Sequence, residues 1–146
     1  MKTLFAPYRR ERDEDTGAPV LSALASNGDV LAVVSEPTIE AAESELVTLV
    51  LAVMEAQASD GIDPLPDLAP VRPKKGGYVA FAPSQLLSIR LRLARSKAQL
   101  RQADMAERMG ITQQAYAKLE RPGANPTLQT VLELEKALGR DLLAWA

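Results

Sequence analysis

Five side chains near the carboxyl end of the chain have types and spacing suited to reading DNA. They recur at i, i+1, i+4, i+5 and i+8, which is one contiguous face of an α-helix. The five residues are Gln113, Gln114, Ala117, Lys118 and Arg121. A glutamine amide donates and accepts together, which suits an adenine edge in the major groove. Lysine and arginine suit phosphates or guanine. Tyr116, at the boundary of this face, could stack or bond a phosphate.

The elements around this face have the layout of a helix-turn-helix. A first helix is expected to end at Gly110, which can adopt the left-handed conformation that stops a helix. Thr112 can cap the exposed amides that open the second helix. We expect Ile111, Ala115 and Leu119 to form the buried edge of that second helix. The alternative interpretation is a solvated face on an ordinary helical bundle.

Residues 85–143 resemble the five-helix repressor type of helix-turn-helix domain, known from phage repressors and the Xre group. The resemblance runs through Gln102, Ala106, residues 110–112, residues 119–120, residues 125–128 and residues 137–139. It implies that Gln102 bonds the DNA backbone and that the second helix of the motif enters the major groove. It also places Arg121 and Asn125 against phosphate.

Two residues depart from the pattern of that family. Arg101 stands where a serine or threonine cap is usual, which weakens the expected helix start, and Ala117 stands where a serine is frequent. The predicted DNA-binding set is Gln102, Thr112, Gln113, Gln114, Tyr116, Ala117, Lys118, Arg121 and Asn125. Since helix-turn-helix proteins normally bind two half-sites as dimers, a homodimer or higher homo-oligomer is expected.

The composition excludes several kinds of chemistry. The 146 residues include no cysteine and no histidine, so disulfides, thiolate-bound zinc and an imidazole base are impossible. No segment resembles a signal peptide or a membrane helix. We therefore expect a cytoplasmic protein with no membrane partner, no metal and no cofactor.

The charge of the chain differs between its two halves. Residues 83–146 carry ten basic and six acidic residues, whereas residues 1–82 carry seven basic and thirteen acidic residues. A basic half suits phosphate, and an acidic half suits a basic protein partner. Between them, residues 59–77 hold four of the ten prolines, which predicts an extended, semi-rigid connection. The predicted domains are therefore residues 1–82, including this connection, and residues 83–146.

The amino-terminal half reads as a small sheet covered by one helix. Strands are predicted at residues 3–8, 19–25, 30–34 and 78–81, with a charged turn at residues 9–17 and a hairpin at Asn27 and Gly28. A long helix is predicted over residues 38–59, between the third and fourth strands. The whole chain is thus expected to be α+β, with a small antiparallel sheet and one long helix followed by an all-α domain.

This order resembles the amino-terminal domain of HicB antitoxins, a truncated ribonuclease-H-like unit. The resemblance rests on the meander, the helix start at residues 36–42, the proline-rich exit at residues 63–66 and the later strand at Tyr78. The usual proline-rich stretch before the third strand is absent, since residues 25–29 read Ala-Ser-Asn-Gly-Asp. The resemblance implies that this domain binds and covers HicA, a small basic toxin that cleaves RNA, while the other domain represses the operon for both. It assigns no toxin-contacting residue.

Catalysis is not expected. The dense acidic run is Glu11, Asp13, Glu14 and Asp15, which falls in a single exposed turn among arginines. Two-metal hydrolysis needs carboxylates that separate elements bring into one shaped cavity.

The sequence thus predicts a type II antitoxin of the HicB kind that is also an autorepressor. One alternative is a stand-alone transcriptional regulator whose amino-terminal domain senses a ligand or dimerises. Another is a protein-interaction module that no longer binds DNA.

Overall fold

The computed structural model describes residues 2–142, and its secondary structure is α+β. Its strands are β1 (Leu4–Arg12), β2 (Pro19–Leu24), β3 (Val30–Ser35) and β4 (Gly77–Phe81). Its helices are α1 (Ile39–Ser59), α2 (Pro83–Lys97), α3 (Gln102–Met109), α4 (Gln113–Leu119) and α5 (Leu128–Leu138), with a short 3-10 turn at Leu65–Asp67. Residues 143–146 of the predicted second domain lie outside the described residues.

The chain forms two compact units whose boundaries differ from the predicted domains. The first unit contains Lys2–Met54 and Pro64–Ala82, and the second contains Glu55–Asp63 together with the chain from Pro83 onward. The second unit therefore gains the acidic residues Glu55, Asp60 and Asp63. It carries ten basic and nine acidic residues, and the first unit carries seven basic and ten acidic residues. The net charge is therefore +1 for the second unit and −3 for the first. Dividing the chain at residue 82 gave +4 and −6 for the corresponding halves.

The first unit is built on an antiparallel sheet in the order β3-β2-β1-β4. The amino-terminal half of β1 pairs with β4, and its carboxyl-terminal half pairs with β2. β1 runs to Arg12, so the predicted charged turn at residues 9–17 is too long. Residues 9–12 lack the apolar alternation of a half-buried strand, but their backbone still pairs with β2. The turn itself is closed by the Asp13 carboxylate, which accepts from the backbone N–H of Thr16 at 2.8 Å.

One face of this sheet is buried, and α1 contacts it. Buried side chains on that face are Ala6, Leu21, Ala23, Val34, Val79 and Phe81. The buried stripe of α1 includes Ala42, Leu46, Val50 and Met54, at the helical spacing that the sequence predicts. The Tyr8 hydroxyl, on the same face, donates to Glu43 of α1 at 2.8 Å.

Residues 64–77 of the proline-rich connection are an ordered part of the first unit rather than an extended, semi-rigid link between domains. Phe5 and Ala69 exchange two backbone hydrogen bonds of 2.9 and 2.7 Å, and the Ser26 hydroxyl donates to the carbonyl of Pro66. Leu65 and Leu68 are buried. The prolines do prevent a long helix here, but burial of these two leucines holds the segment in place.

The second unit contains four helices within residues 83–142, namely α2 to α5. Gly139 ends α5 in the left-handed conformation with φ 68°, and no further helix begins between it and residue 142, so the predicted fifth helix is not found there. The helices share one apolar core formed by Leu87, Leu91, Met105, Ala106, Tyr116, Val131, Leu134, Leu138 and Leu142. Across residues 2–142, no helix is both long enough and apolar enough to cross a membrane.

Candidate nucleic-acid interface

α3 begins without the usual serine or threonine cap, and an acidic side chain in its first turn bonds the backbone of the cap residue. Arg101 occupies the cap position, and Asp104 accepts its backbone N–H at 2.7 Å. Asp104 also accepts from the Arg101 guanidinium at 3.1 Å. These bonds lower the pKa of the Asp104 carboxyl, with the Arg101 side chain as the largest cause. Asp104 thus supplies one half of a capping box and partly offsets the weakened helix start expected from Arg101.

The turn between α3 and α4 has the predicted geometry. Gly110 ends α3 in the left-handed conformation, with φ 68° and ψ 31°. The Thr112 hydroxyl accepts the backbone N–H of Ala115 at 3.1 Å and so caps α4. Both local predictions are confirmed. They could be made from the sequence because the glycine and the cap each act on backbone groups only a few residues away.

The exposed face of α4 carries three of the nine predicted DNA-binding side chains. Gln113, Gln114 and Lys118 are exposed, and Arg121 is exposed just beyond the carboxyl end of the helix. Ala117 is half-buried at the edge of this face. The helix therefore presents two amides and one positive charge to solvent, and Arg121 adds a second positive charge just beyond its end.

The buried side of α4 differs from the prediction by a rotation of the helix. Ala115, expected inside, is exposed, and Ile111 is 37% exposed. Tyr116, expected at the boundary, is fully buried in the apolar core. Its ring removes far more apolar surface from water than the Ala115 methyl group does, so this orientation of the helix is favoured.

Tyr116 is therefore not available to DNA, and its assignment as a binding residue is wrong. Its hydroxyl donates to Glu120 Oε1 at 2.7 Å. Burial, followed by the charge and hydrogen bond of Glu120, raises the pKa of the Tyr116 hydroxyl. The residue anchors α4 instead of contacting a phosphate.

Glu120 is the centre of a polar network that sequence reasoning missed. Its side chain is completely buried, and it accepts from Arg95 of α2, from Gln102 of α3 and from Tyr116. Burial by itself would raise the pKa of Glu120, but the hydrogen bonds from Arg95, Gln102 and Tyr116 outweigh it and lower that pKa. The signal in the sequence was a glutamate four residues after Tyr116, on the inward side of α4.

The network also positions Gln102, the predicted backbone-binding residue. Gln102 is half-buried at the start of α3, and its Nε2 donates to Glu120 Oε2 at 2.9 Å. An amide nitrogen carries two hydrogens, so one donor remains for a phosphate. The contact fixes the amide at the amino end of α3, where the helix dipole favours an anion.

The loop between α4 and α5 holds the remaining predicted phosphate contacts. Arg121 and Asn125 are both exposed in it. Thr127 then caps α5 by accepting the backbone N–H of Thr130 at 3.2 Å.

The exposed side of α4 is free of negative charge. Between Thr112 and Arg121 the one acidic residue is Glu120, which is buried and paired with Arg95. Lys118 and Arg121 are therefore uncompensated along this segment, despite the net charge of only +1 for the whole unit. A local positive face of this kind favours phosphate binding.

Among the described residues, no group of three acidic, histidine or cysteine side chains could hold a metal ion.

Comparison with known proteins identifies a helix-turn-helix in the same part of the chain. A family model described as helix-turn-helix matches residues 91–145, which include α3, α4 and α5. The match supports a DNA-binding domain here and a role as a DNA-binding regulator. No curated protein matches the chain.

Proposed function

We propose that this protein is a transcriptional repressor that binds operator DNA through α4. The observation that carries the proposal is the exposed, acid-free side of α4, with the Gln113 and Gln114 amides beside Lys118. Such a side offers both base readout and phosphate attraction. A bound repressor of this type blocks access to the operator by occupying it.

Each of the polar groups at this interface has a distinct role. The amides at the start of α4 pair with adenine edges in the major groove, since each can donate and accept together. Lys118 and Arg121 neutralise phosphates, and Gln102 and Asn125 bond the backbone on either side. Two copies of the protein bind half-sites separated by about one helical turn of DNA, roughly 34 Å.

We further propose that the first unit binds and occludes a small basic toxin of the HicA kind, and that the regulated operon encodes both proteins. The resemblance to HicB antitoxins supports this assignment. The antiparallel sheet contacted by one long helix and the net charge of −3 on the first unit are consistent with it.

The DNA-binding proposal is tested by selecting duplexes from a random library with the full chain and measuring affinity by fluorescence anisotropy. We expect the selected duplex to bind about a thousandfold more tightly than a scrambled one. Affinity should fall steeply as salt is raised, because binding releases counterions from the phosphates. Equal affinity for selected and scrambled duplexes would refute sequence-specific repression.

The toxin-binding proposal is tested separately by co-expression with the product of an adjacent gene that encodes a short basic protein. We expect a stable one-to-one complex and relief of growth inhibition. A Lys118→Ala/Arg121→Ala variant should lose DNA binding and keep this protection, because both residues lie in the second unit. Absence of a complex, with DNA binding intact, would instead favour a stand-alone regulator.

A further inference from the structure

The outer edge of β4 has backbone groups that no other described strand uses. Phe5 directs its N–H and C=O to Ala69, away from β4. In an antiparallel ladder the direction alternates along the strand, so Ala6 and Tyr8 bond the paired residues of β4. The N–H and C=O groups of Tyr78 and Ala80 therefore point outward, and no strand within residues 2–142 pairs with that edge.

A groove lies between this strand and α1, within the first unit. Its volume is about 410 Å³, and it is lined by Glu40, Glu43, Ser44 and Val47 of α1 and by residues 78–80 of β4. The Tyr8 hydroxyl orients the Glu43 carboxylate of the groove by donating a hydrogen bond to it at 2.8 Å. Gly77 leaves room for the Tyr8 ring, because a Cβ at Gly77 would overlap it.

The charge on the groove has one sign. Glu40 is exposed, Glu43 is half-buried, and no lining residue is basic. The opposite face of the sheet differs, since the Arg72 guanidinium lies 5.1 Å from the centre of the Tyr78 ring there. A strand placed beside β4 would therefore meet carboxylates on its α1 side and a positive charge on its other side.

We propose that this groove binds an extended, positively charged segment of a partner protein, which adds to the sheet as a strand beside β4. Backbone hydrogen bonds to Tyr78 and Ala80 supply the affinity, and Glu40 and Glu43 select basic side chains at alternate positions of the segment. The groove lies within the first unit, so this binding does not depend on DNA binding or on the identity of a toxin.

Four synthetic peptides of three designs provide the probe. The first has about six residues, the length of a typical strand, with lysine and threonine in alternation and both ends blocked. The second has glutamate in place of lysine. The third is made in two forms, methylated at the backbone nitrogens of the lysines or of the threonines. Strand addition uses alternate N–H groups, so we expect one methylated form to bind about tenfold or more weakly and the other to keep its affinity. The glutamate peptide should not bind.

A pair of protein variants distinguishes binding in the groove from attraction by the overall negative charge of the first unit. Glu40→Lys reverses a charge that lines the groove, and Glu45→Lys makes the same change on α1 outside it. Both glutamates are exposed, so neither change disturbs the core. We expect Glu40→Lys to weaken the lysine peptide about tenfold or more, and Glu45→Lys to change its affinity less than about threefold.

Amide hydrogen exchange gives a direct readout of the edge. The peptide should slow exchange at Tyr78 and Ala80, while Val79, which already bonds β1, should change little. Equal binding of both methylated peptides, or equal losses in the two lysine variants, would overturn the proposal. Protection of Tyr78 and Ala80 in the free protein, together with a dimer in sedimentation, would also overturn it, since a second copy would then occupy the edge.

Discussion

The Tyr116 hydroxyl donates to Glu120 Oε1 at 2.7 Å, and both side chains are completely buried. Tyr116 lies on α4 and Glu120 lies one helical turn later, at the residue that caps its carboxyl end, so their burial sets the rotation of this helix. That rotation turns Gln113, Gln114 and Lys118 toward solvent. Glu120 also bonds Arg95 and Gln102, and so ties α4 to α2 and α3. The proposed DNA-reading face therefore depends on a polar network beneath it.

Removing the carboxylate of this network is expected to destabilise the second unit strongly. Glu120→Ala leaves Arg95 without its buried partner, and breaking a buried ion pair in this way costs about 3–5 kcal/mol. The free energy of unfolding, measured by urea denaturation, tests this. Glu133→Ala on α5 is the control, because Glu133 is exposed and its loss should change stability by no more than about 0.5 kcal/mol. Similar losses in both variants would show that the network contributes little.

Tyr116→Phe should lower the stability of the second unit without changing its contacts with DNA. Removing the hydroxyl deprives Glu120 of one of its donors, which is expected to cost about 1–3 kcal/mol. The salt dependence of DNA binding should stay the same, because Tyr116 is buried and contacts no phosphate. Anisotropy over a range of salt concentrations, at a temperature where the variant is folded, measures this. A shallower salt dependence would instead show that Tyr116 contacts a phosphate, as its predicted position at the boundary of the DNA-reading face allowed.

Acid should destabilise the second unit through Glu120. Its pKa in the folded protein lies below the ordinary value of 4.5, because donors to the carboxylate outweigh burial. The stabilisation is therefore complete above about pH 4.5 and is lost as the pH falls through the lower, folded-state pKa. Urea denaturation from neutral pH to about pH 3 should show a smaller dependence on pH in Glu120→Gln than in the wild type. Carbon-detected NMR titration of Glu120 checks the direction of the shift, and a value above 4.5 would contradict it.

Two substitutions on α4 should have different effects on DNA binding. Gln114→Ala should relax base preference at one position, by about 1–3 kcal/mol of discrimination, since a paired amide is lost. Lys118→Ala should weaken all sequences alike and reduce the salt slope by about one. Lys136→Ala is the matched lysine control, because Lys136 is exposed in the last turn of α5. Unchanged affinity and salt slope in both α4 variants would place the DNA-binding surface elsewhere.

Gly77 is expected to tolerate no side chain while Tyr8 is present. A Cβ would overlap the Tyr8 ring and push its hydroxyl away from Glu43, so Gly77→Ala should cost about 1–3 kcal/mol. In a Tyr8→Ala background the same change should cost much less, because the overlapping ring is gone. A double-mutant cycle by thermal or urea unfolding measures this coupling. Additive effects would show that the two residues do not compete for this space.

The sequence could predict the features of the fold that depend on near neighbours along the chain. The Gly110 stop and the Thr112 cap each act through backbone groups within a few residues, and both are present. The order of strands and helices follows from apolar periodicity and turn residues, which are local as well. The exposure of Gln113, Gln114 and Lys118 followed from the same helical spacing.

Only the tertiary structure decided which apolar side of α4 is inside and what satisfies its polar atoms. Ala115 and Tyr116 are adjacent, and local pattern does not choose between them. The choice depends on Arg95, which lies 25 residues from Glu120 in the chain and makes burial of the Tyr116–Glu120 pair possible. The groove beside β4 likewise joins α1 to a strand far along the sequence. Contacts between distant residues determine both features because a buried polar group is stable only where folding brings it a partner, and a groove exists only between packed elements.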